Sequence, residues 1–286
     1  MALDSMKEIA ECPTPFWQIV LETDMDERQV TAEASMEKMR LTWRAMLEST
    51  ENYEPQRRSL SGLVGGDGEK MRQYSQNGDP ICGPYLQEVI ATALCVGESN
   101  ACMRKIVAAP TAGACGVLPA VLVPLYHSGR ATEDEIIQAL YVASGIGAVI
   151  SHRACIAGAA GGCQAEIGSA SAMAAGALVA LRGGSAEQIG HAVAMTLKNL
   201  MGLVCDPVAG LVEVPCVKRN VIGAMNAVSA ADMALAGIES RIPVDEVIDC
   251  MGDVGCRLPM ELRETALGGL AATPFGQSVK ETMKHL

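Results

Sequence analysis

Residues 158–202, GAAGGCQAEIGSASAMAAGALVALRGGSAEQIGHAVAMTLKNLMG, decide the fold. From Gln164 to Arg182 the side chains are almost all apolar or small, with no alternation of the kind that marks a half-buried strand. The spacing predicts a helix over 164–182. A second follows over 186–202, with Ser185 and Gln188 at capping-box spacing. Small side chains let such helices approach closely. Working outward, the same pattern predicts helices over 84–96, 99–108, 117–127, 132–150, 217–240 and 244–252, and Thr132 with Glu135 repeats the capping box. Hydrophobic residues make up 49% of the 286, and aromatics only 3%. A core of that size must be built from Ala, Val, Ile, Leu and Met, with too few aromatic and β-branched residues for most β-rich folds. The fold class is therefore all-α: a compact bundle of close-packed Ala/Gly-rich helices.

Two regions flank this pattern. Residues 1–52 read as a more polar helical arm, with Trp17, Ile19, Val20 and Leu21, then Met36, Met39, Leu41, Trp43 and Met46, at helical spacing. Pro13 marks its start, and Thr14 is placed to cap its first helix. A turn-rich break with Gly65-Gly66-Asp67-Gly68 separates the arm from residues 53–286, read as the main helical unit, and after Glu69 the pattern is helical again. The uncharged stretch Ile106 to Tyr126 is long enough to cross a bilayer. Pro110, Pro119 and Pro124, with Gly113 and Gly116, make it a loop and a buried helix instead. A net charge of −11 with no basic stripe argues against a nucleic-acid partner. With no secretory signal visible, the chain reads as a soluble cytoplasmic protein that does not span a membrane.

The loops carry the chemistry. Ala109 to Gly116 (APTAGACG), Ile156 to Cys163 (IAGAAGGC) and Leu203 to Cys216 (LVCDPVAGLVEVPC) are apolar and rich in Gly and Pro. Such loops commonly bind a ligand with their amides and carbonyls. Eleven cysteines are many for a cytosolic chain, and an odd count excludes a complete internal disulfide framework. Cys163 opens a helix, where free amides and the dipole favour a thiolate. Cys205 ends one helix and Cys216 precedes another, joined by an excursion that Asp206-Pro207 and Val214-Pro215 stiffen. No C-x-x-C pair is present, so from spacing alone a metal site on these three and simple burial in a small-residue core both stand.

GAAGGCQAEIGSASAMAAGA, LKNLMGLVCDPVAGLVEVPCVKRN, AADMALAGIESRIPVDEVID and RETALGGLAATP, with the APTAG loop and the GGD turn, together resemble the α subunit of iron–sulfur-dependent bacterial L-serine dehydratase. The resemblance covers nearly the whole chain. It implies a [4Fe–4S] cluster on Cys163, Cys205 and Cys216, one iron without a protein thiolate, and use of that iron as a Lewis acid to convert L-serine to pyruvate and ammonia. It implies no pyridoxal phosphate, a role in amino-acid catabolism feeding gluconeogenesis, and a separate β subunit, with a homo-oligomer as a further option.

The resemblance places Thr111, Ala112 and Gly113 on the substrate side, where amides and a hydroxyl would hold a carboxylate. Lys198, with Asn199, lies close before Cys205, and Lys218 and Arg219 begin the next helix, an awkward end for cations without an anionic neighbour. Where the family has an Asn-rich run with Ser, this chain has Ser151-His152-Arg153-Ala154-Cys155. His152 then reads as a proton carrier and Arg153 as an anion clamp for a substrate with an additional acidic group. Cys115 and Cys155 lie in the nearest loops, either able to cap the fourth iron. The alternatives are a cluster-dependent lyase for cysteine or a larger acidic hydroxy-amino acid, and a non-catalytic cluster-bearing regulator.

Overall fold

The structure is a computed structural model describing residues 3–285. Its helices in chain order are α1 (Met6–Glu11), α2 (Phe16–Arg28), α3 (Ala32–Glu51), α4 (Asp67–Asn77), α5 (Pro84–Ala101), α6 (Val117–His127) and α7 (Glu133–Arg153). There follow α8 (Gly158–Gly161), α9 (Cys163–Leu181), α10 (Ala186–Leu200), α11 (Cys216–Leu235), α12 (Val244–Arg257) and α13 (Pro274–Met283). Among the described residues there is no strand, only an isolated parallel bridge between Cys205 and Arg263. The all-α class holds.

Helix α9 is the axis of the bundle. Its residues from Cys163 to Val179 are all buried, as expected for a helix that is apolar or small on every side. It packs against α6, α7, α10, α11 and α12. The small residues are what allow this. A side chain begun at Gly176 would lie 2.1 Å from Cδ1 of Ile146 on α7, and one begun at Gly223 on α11 would lie 2.9 Å from Cγ2 of Ile167 on α9. Some polar groups bridge the helices: Asn226 on α11 donates to the Ser171 hydroxyl and to the Thr196 carbonyl, each at 3.0 Å.

Both capping boxes form as the spacing predicts, at Thr132 before α7 and Ser185 before α10. At the first, the Glu135 amide donates to the Thr132 hydroxyl at 3.3 Å and the Thr132 amide to the Glu135 carboxylate at 2.8 Å. Thr132→Ala is expected to lower the stability of the chain by about 1 kcal/mol, seen as a lower urea midpoint with an unchanged slope.

Two expectations near the ends of elements are corrected. No helix covers 99–108: α5 runs through to Ala101, and Cys102 caps it with its amide on the Glu98 and Asn100 carbonyls. Met103 follows at a positive φ of 58°, which ends the helical run. Thr14 caps nothing: Ser5 caps α1, and α2 starts after Pro15 with no side-chain cap. The N-terminal helices lie on the rest of the bundle, α1 against α10, α2 against α7, and α3 against α5, α6 and α7. Trp43 is fully buried and meets Tyr126 of α6 edge to face, with centroids 5.5 Å apart. Helix α7 is long and apolar enough to cross a membrane by length and composition, and 67% of its most apolar window is buried inside the fold. The stretch from Ile106 to Tyr126 folds as a loop and a short buried helix, α6.

Candidate functional site

Three loops meet at the start of α9. The turn α8 ends at Gly162, whose φ of 76° is the left-handed conformation that glycine adopts without strain, and the chain then enters α9 at Cys163. The Gln164 amide donates to the Leu203 carbonyl at 2.9 Å, and the Gln164 side chain accepts from the Gly202 amide at 2.7 Å, so the start of α9 is tied to the segment leading into Cys205. Cys205 sits in an extended segment, its amide on the Leu262 carbonyl at 2.8 Å and its carbonyl accepting from the Glu264 amide at 2.7 Å. Cys216 is the first residue of α11. All three thiols are buried, at 1%, 2% and 6% exposure for Cys163, Cys205 and Cys216.

The excursion between Cys205 and Cys216 is held by its own acidic residues. Glu213 is buried and accepts from the hydroxyls of Ser59, at 2.6 Å, and Ser61. Asp206 accepts from Arg219 and from the Leu270 amide, both at 2.8 Å. Arg219 also donates to the Val204 carbonyl at 2.8 Å, so one guanidinium grips the chain on both sides of Cys205. This explains the cation in the first turn of α11. Its neighbours are the Asp206 carboxylate and Cys163, whose thiolate form it favours.

Electrostatics divide the thiols. The Cys205 thiol, as hydrogen-bond donor, holds Cys163 below the ordinary thiol range despite burial, and Arg219 adds to the effect. Cys205 is pushed up correspondingly, as the partner that keeps its proton. Burial pushes Cys216 up to about 12. A thiophilic metal centre reverses this by displacing the protons, since it binds thiolates and not thiols.

The APTAG loop closes the other side. Asn220, on α11, accepts from the Gly116 amide at 2.8 Å and donates to the Gly113 carbonyl at 2.8 Å. Thr111 donates its hydroxyl to Glu166, one turn into α9. Glu166 is the residue that sequence reasoning missed. It is 9% exposed, and burial, reinforced by the charge of Glu264, raises its carboxyl above the ordinary carboxylate range against the pull of Thr111 and Arg219. A signal was present, because Glu166 is the one charged side chain in the whole of Cys163–Leu181.

The other predicted residues lie elsewhere. His152 is exposed at the last turn of α7, with Nε2 3.5 Å from Asp4. Arg153 spends its fork on Asp249, at 3.0 and 2.7 Å, and on the Asp4 carbonyl at 3.2 Å, which binds α7 to α12 and the N-terminal segment. Lys198 donates to the Ser240 hydroxyl at 2.9 Å, and Asn199 to Asn226 at 2.8 Å. Despite their nearness to Cys205 in sequence, both side chains are taken up by these partners. The Ala112 carbonyl accepts from Asn100 at 3.0 Å, and its side chain is exposed. Cys115 is buried and directed at the Val96 carbonyl, 3.9 Å away. Cys155 lies by α8, where a side chain begun at Gly161 would meet its sulfur at 2.5 Å.

Three thiols are a donor set that an iron–sulfur cluster or another thiophilic centre would take. No three Cys, His, Asp or Glu groups among the described residues converge as one metal ion requires. Thiolates on one tetrahedral zinc would sit about 3.8 Å apart. Three buried thiols, a guanidinium beside one of them, and glycines at 158, 161 and 162 leave a soft, close-walled surround that such a cluster would fit.

Fold and site thus define a helical protein with three cysteines gathered at the start of its central helix. Residues 13–271 match the serine dehydratase alpha chain family, and the chain belongs to it. It is 53% identical over 223 residues to a Bacillus subtilis protein named "Probable L-serine dehydratase, alpha chain", covering 78% of this chain and 74% of that one. It is 43% identical over 265 residues to the "L-serine dehydratase, alpha chain" of Peptoniphilus asaccharolyticus, covering 92% and 91%. Against the "L-serine dehydratase" of Streptomyces coelicolor it is 42% identical over 204 residues, 70% of this chain but only 44% of that protein.

Proposed function

We propose that this chain is the cluster-bearing subunit of a [4Fe–4S]-dependent dehydratase that converts L-serine to pyruvate and ammonia. The observation that carries this reading is the gathering of Cys163 from one loop, and Cys205 and Cys216 from the two ends of another, into one buried surround beside Arg219 and Glu166. The three thiols would hold the cluster. When bound there, it would supply an iron lacking a fourth protein thiolate, a Lewis acid for the departing hydroxyl. Arg219 offsets the negative charge of the thiolates, and its grip on Val204 and Asp206 fixes the height of Cys205 against α11. Burial of the thiols keeps bulk water from them. Thr111 orients the Glu166 carboxyl by donating to one of its oxygens.

A separate β chain completes the enzyme in this reading. The Streptomyces relative extends well beyond the region it shares with this chain, whereas the relatives named alpha chain do not to the same degree. The reaction belongs to amino-acid catabolism, its pyruvate open to gluconeogenesis, and the bundle would work in the cytoplasm.

Anaerobic purification from its own cells through a tag on this chain tests the reading. Expected are about four irons with matching sulfide per chain and pyruvate formation from L-serine that decays in air. Zinc alone, with no visible absorption and no pyruvate, would overturn it. Turnover of cysteine in place of serine would move the substrate but keep the site.

A further inference from the structure

Two carboxyl groups at this site form no ion pair among the described residues. Glu166 places Oε1 on the Thr111 hydroxyl, while Oε2 accepts no hydrogen bond from any described residue. Glu264, exposed at the rim, forms neither an ion pair nor a side-chain hydrogen bond among the described residues, and its backbone is held at a φ of 62°. Both face one gap. A side chain begun at Gly158 would lie 3.2 Å from Oε2 of Glu264, 3.5 Å from Oε2 of Glu166 and 3.0 Å from Sγ of Cys205. Gly113 opens the same gap from the other wall, where a side chain would meet Oε1 of Glu166 at 2.6 Å. Two glycines, on two loops, keep clear the space in front of these oxygens.

The nearby cations are committed. Arg219 is paired with Asp206 at 2.8 Å and bonded to Val204. Lys218 faces Asp67 at 3.4 Å, and Arg263 reaches the Ala160 carbonyl at 3.5 Å. Glu166 holds only the Thr111 hydroxyl, and a buried carboxyl group has acceptor capacity for further donors. A small cation with several donors would suit both carboxyl groups at once.

We infer that Glu166 and Glu264 together receive the α-ammonium group of the substrate, and so select amino acids over hydroxy acids at this site. The inference rests on the proposed dehydratase reading and deepens it. An ammonium has three donors in a tetrahedral spread, enough for both carboxylates at once. Charge-assisted bonds of this kind are the strong ones. Glu166, inside and fixed by Thr111, sets the position. Glu264, at the rim, draws the cation in. A hydroxy acid such as glycerate, which carries a hydroxyl where serine carries its ammonium, would leave both carboxylates facing a neutral group.

Glu166→Gln and Glu264→Gln are isosteric, remove the charge and replace one acceptor oxygen by an amide donor. In the anaerobically purified holoenzyme with its partner chain, each is expected to raise KM for L-serine by about 10-fold, with inhibition by glycerate changed less than about twofold. Iron content and the visible spectrum are expected to stay as in the parent enzyme. An unchanged KM in both variants overturns the inference, as does an equal weakening of serine and glycerate, or loss of iron from both variants. Because Glu264 is exposed, its variant tests the idea even where Glu166→Gln does not fold. A parent enzyme with neither iron nor pyruvate formation would instead overturn the dehydratase reading itself.

Discussion

Cys205→Ala is expected to leave a folded chain with almost no iron and with activity at least about 100-fold lower, since outer partners of metal ligands alone cost 10–100-fold. The expectation rests on how Cys205 is held. Its backbone amide and carbonyl are bonded to Leu262 and Glu264 whatever the side chain, so alanine keeps the bridge to the 262–264 segment. The change deletes one buried sulfur, at a cost of about 1 kcal/mol, comparable to one buried methylene. Fold and cluster are therefore separable in this variant. Cys115→Ala is the matched control: its thiol is as buried as that of Cys205, yet its contact is the Val96 carbonyl. Iron and sulfide analysis after anaerobic purification should find the parent content in Cys115→Ala and its loss in Cys205→Ala. Unchanged iron in Cys205→Ala would remove Cys205 from the ligand set and with it the proposed centre.

The helical bundle was legible because its signals are local. The period of apolar residues, the two capping boxes and the small residues of α9 all act within a few positions in sequence. The failures came where a local signal was ambiguous. Ala101 to Ile106 carries no Gly or Pro to break a helix, but Met103 at a positive φ ends the run. The site was legible only in part. The loops with their glycines, prolines and cysteines stand out along the chain, and the misplaced cation at Arg219 announced an anionic neighbour. What sequence could not say is which side chains from distant segments share a space. Lys198, His152 and Arg153 are near the cysteines along the chain and spend their donors on Ser240, Asp4 and Asp249. Glu264 is far along the chain and lies at the rim, carried there by the Cys205–Arg263 bridge. Glu166 was visible as a lone charge in an apolar helix, a feature whose cost demands a reason.

Arg219→Met is expected to unsettle both fold and centre, and the two effects can be told apart. Arg219 and Asp206 form a buried pair at 2.8 Å, with side-chain exposures of 11% and 5%. Removing one partner of such a pair leaves the other charge buried, at a cost of roughly 3–5 kcal/mol. The Leu270 amide still serves Asp206, which places the expected loss near the lower end, about 3 kcal/mol. Asp206→Asn/Arg219→Met removes both charges and is expected to recover most of that stability in chemical denaturation of the metal-free chain. Iron should not recover with it. The guanidinium also donates to the Val204 carbonyl, and this double grip, on Val204 and Asp206, holds the residues on both sides of Cys205 to α11. Methionine cannot replace it. Arg219→Lys keeps the charge but has no planar fork to span both acceptors. It should therefore fold with little loss, hold its iron under argon and release it faster than the parent enzyme on exposure to air. If the double variant regains iron together with stability, Arg219 serves the fold alone. If stability returns and iron does not, the residue positions the cluster ligands.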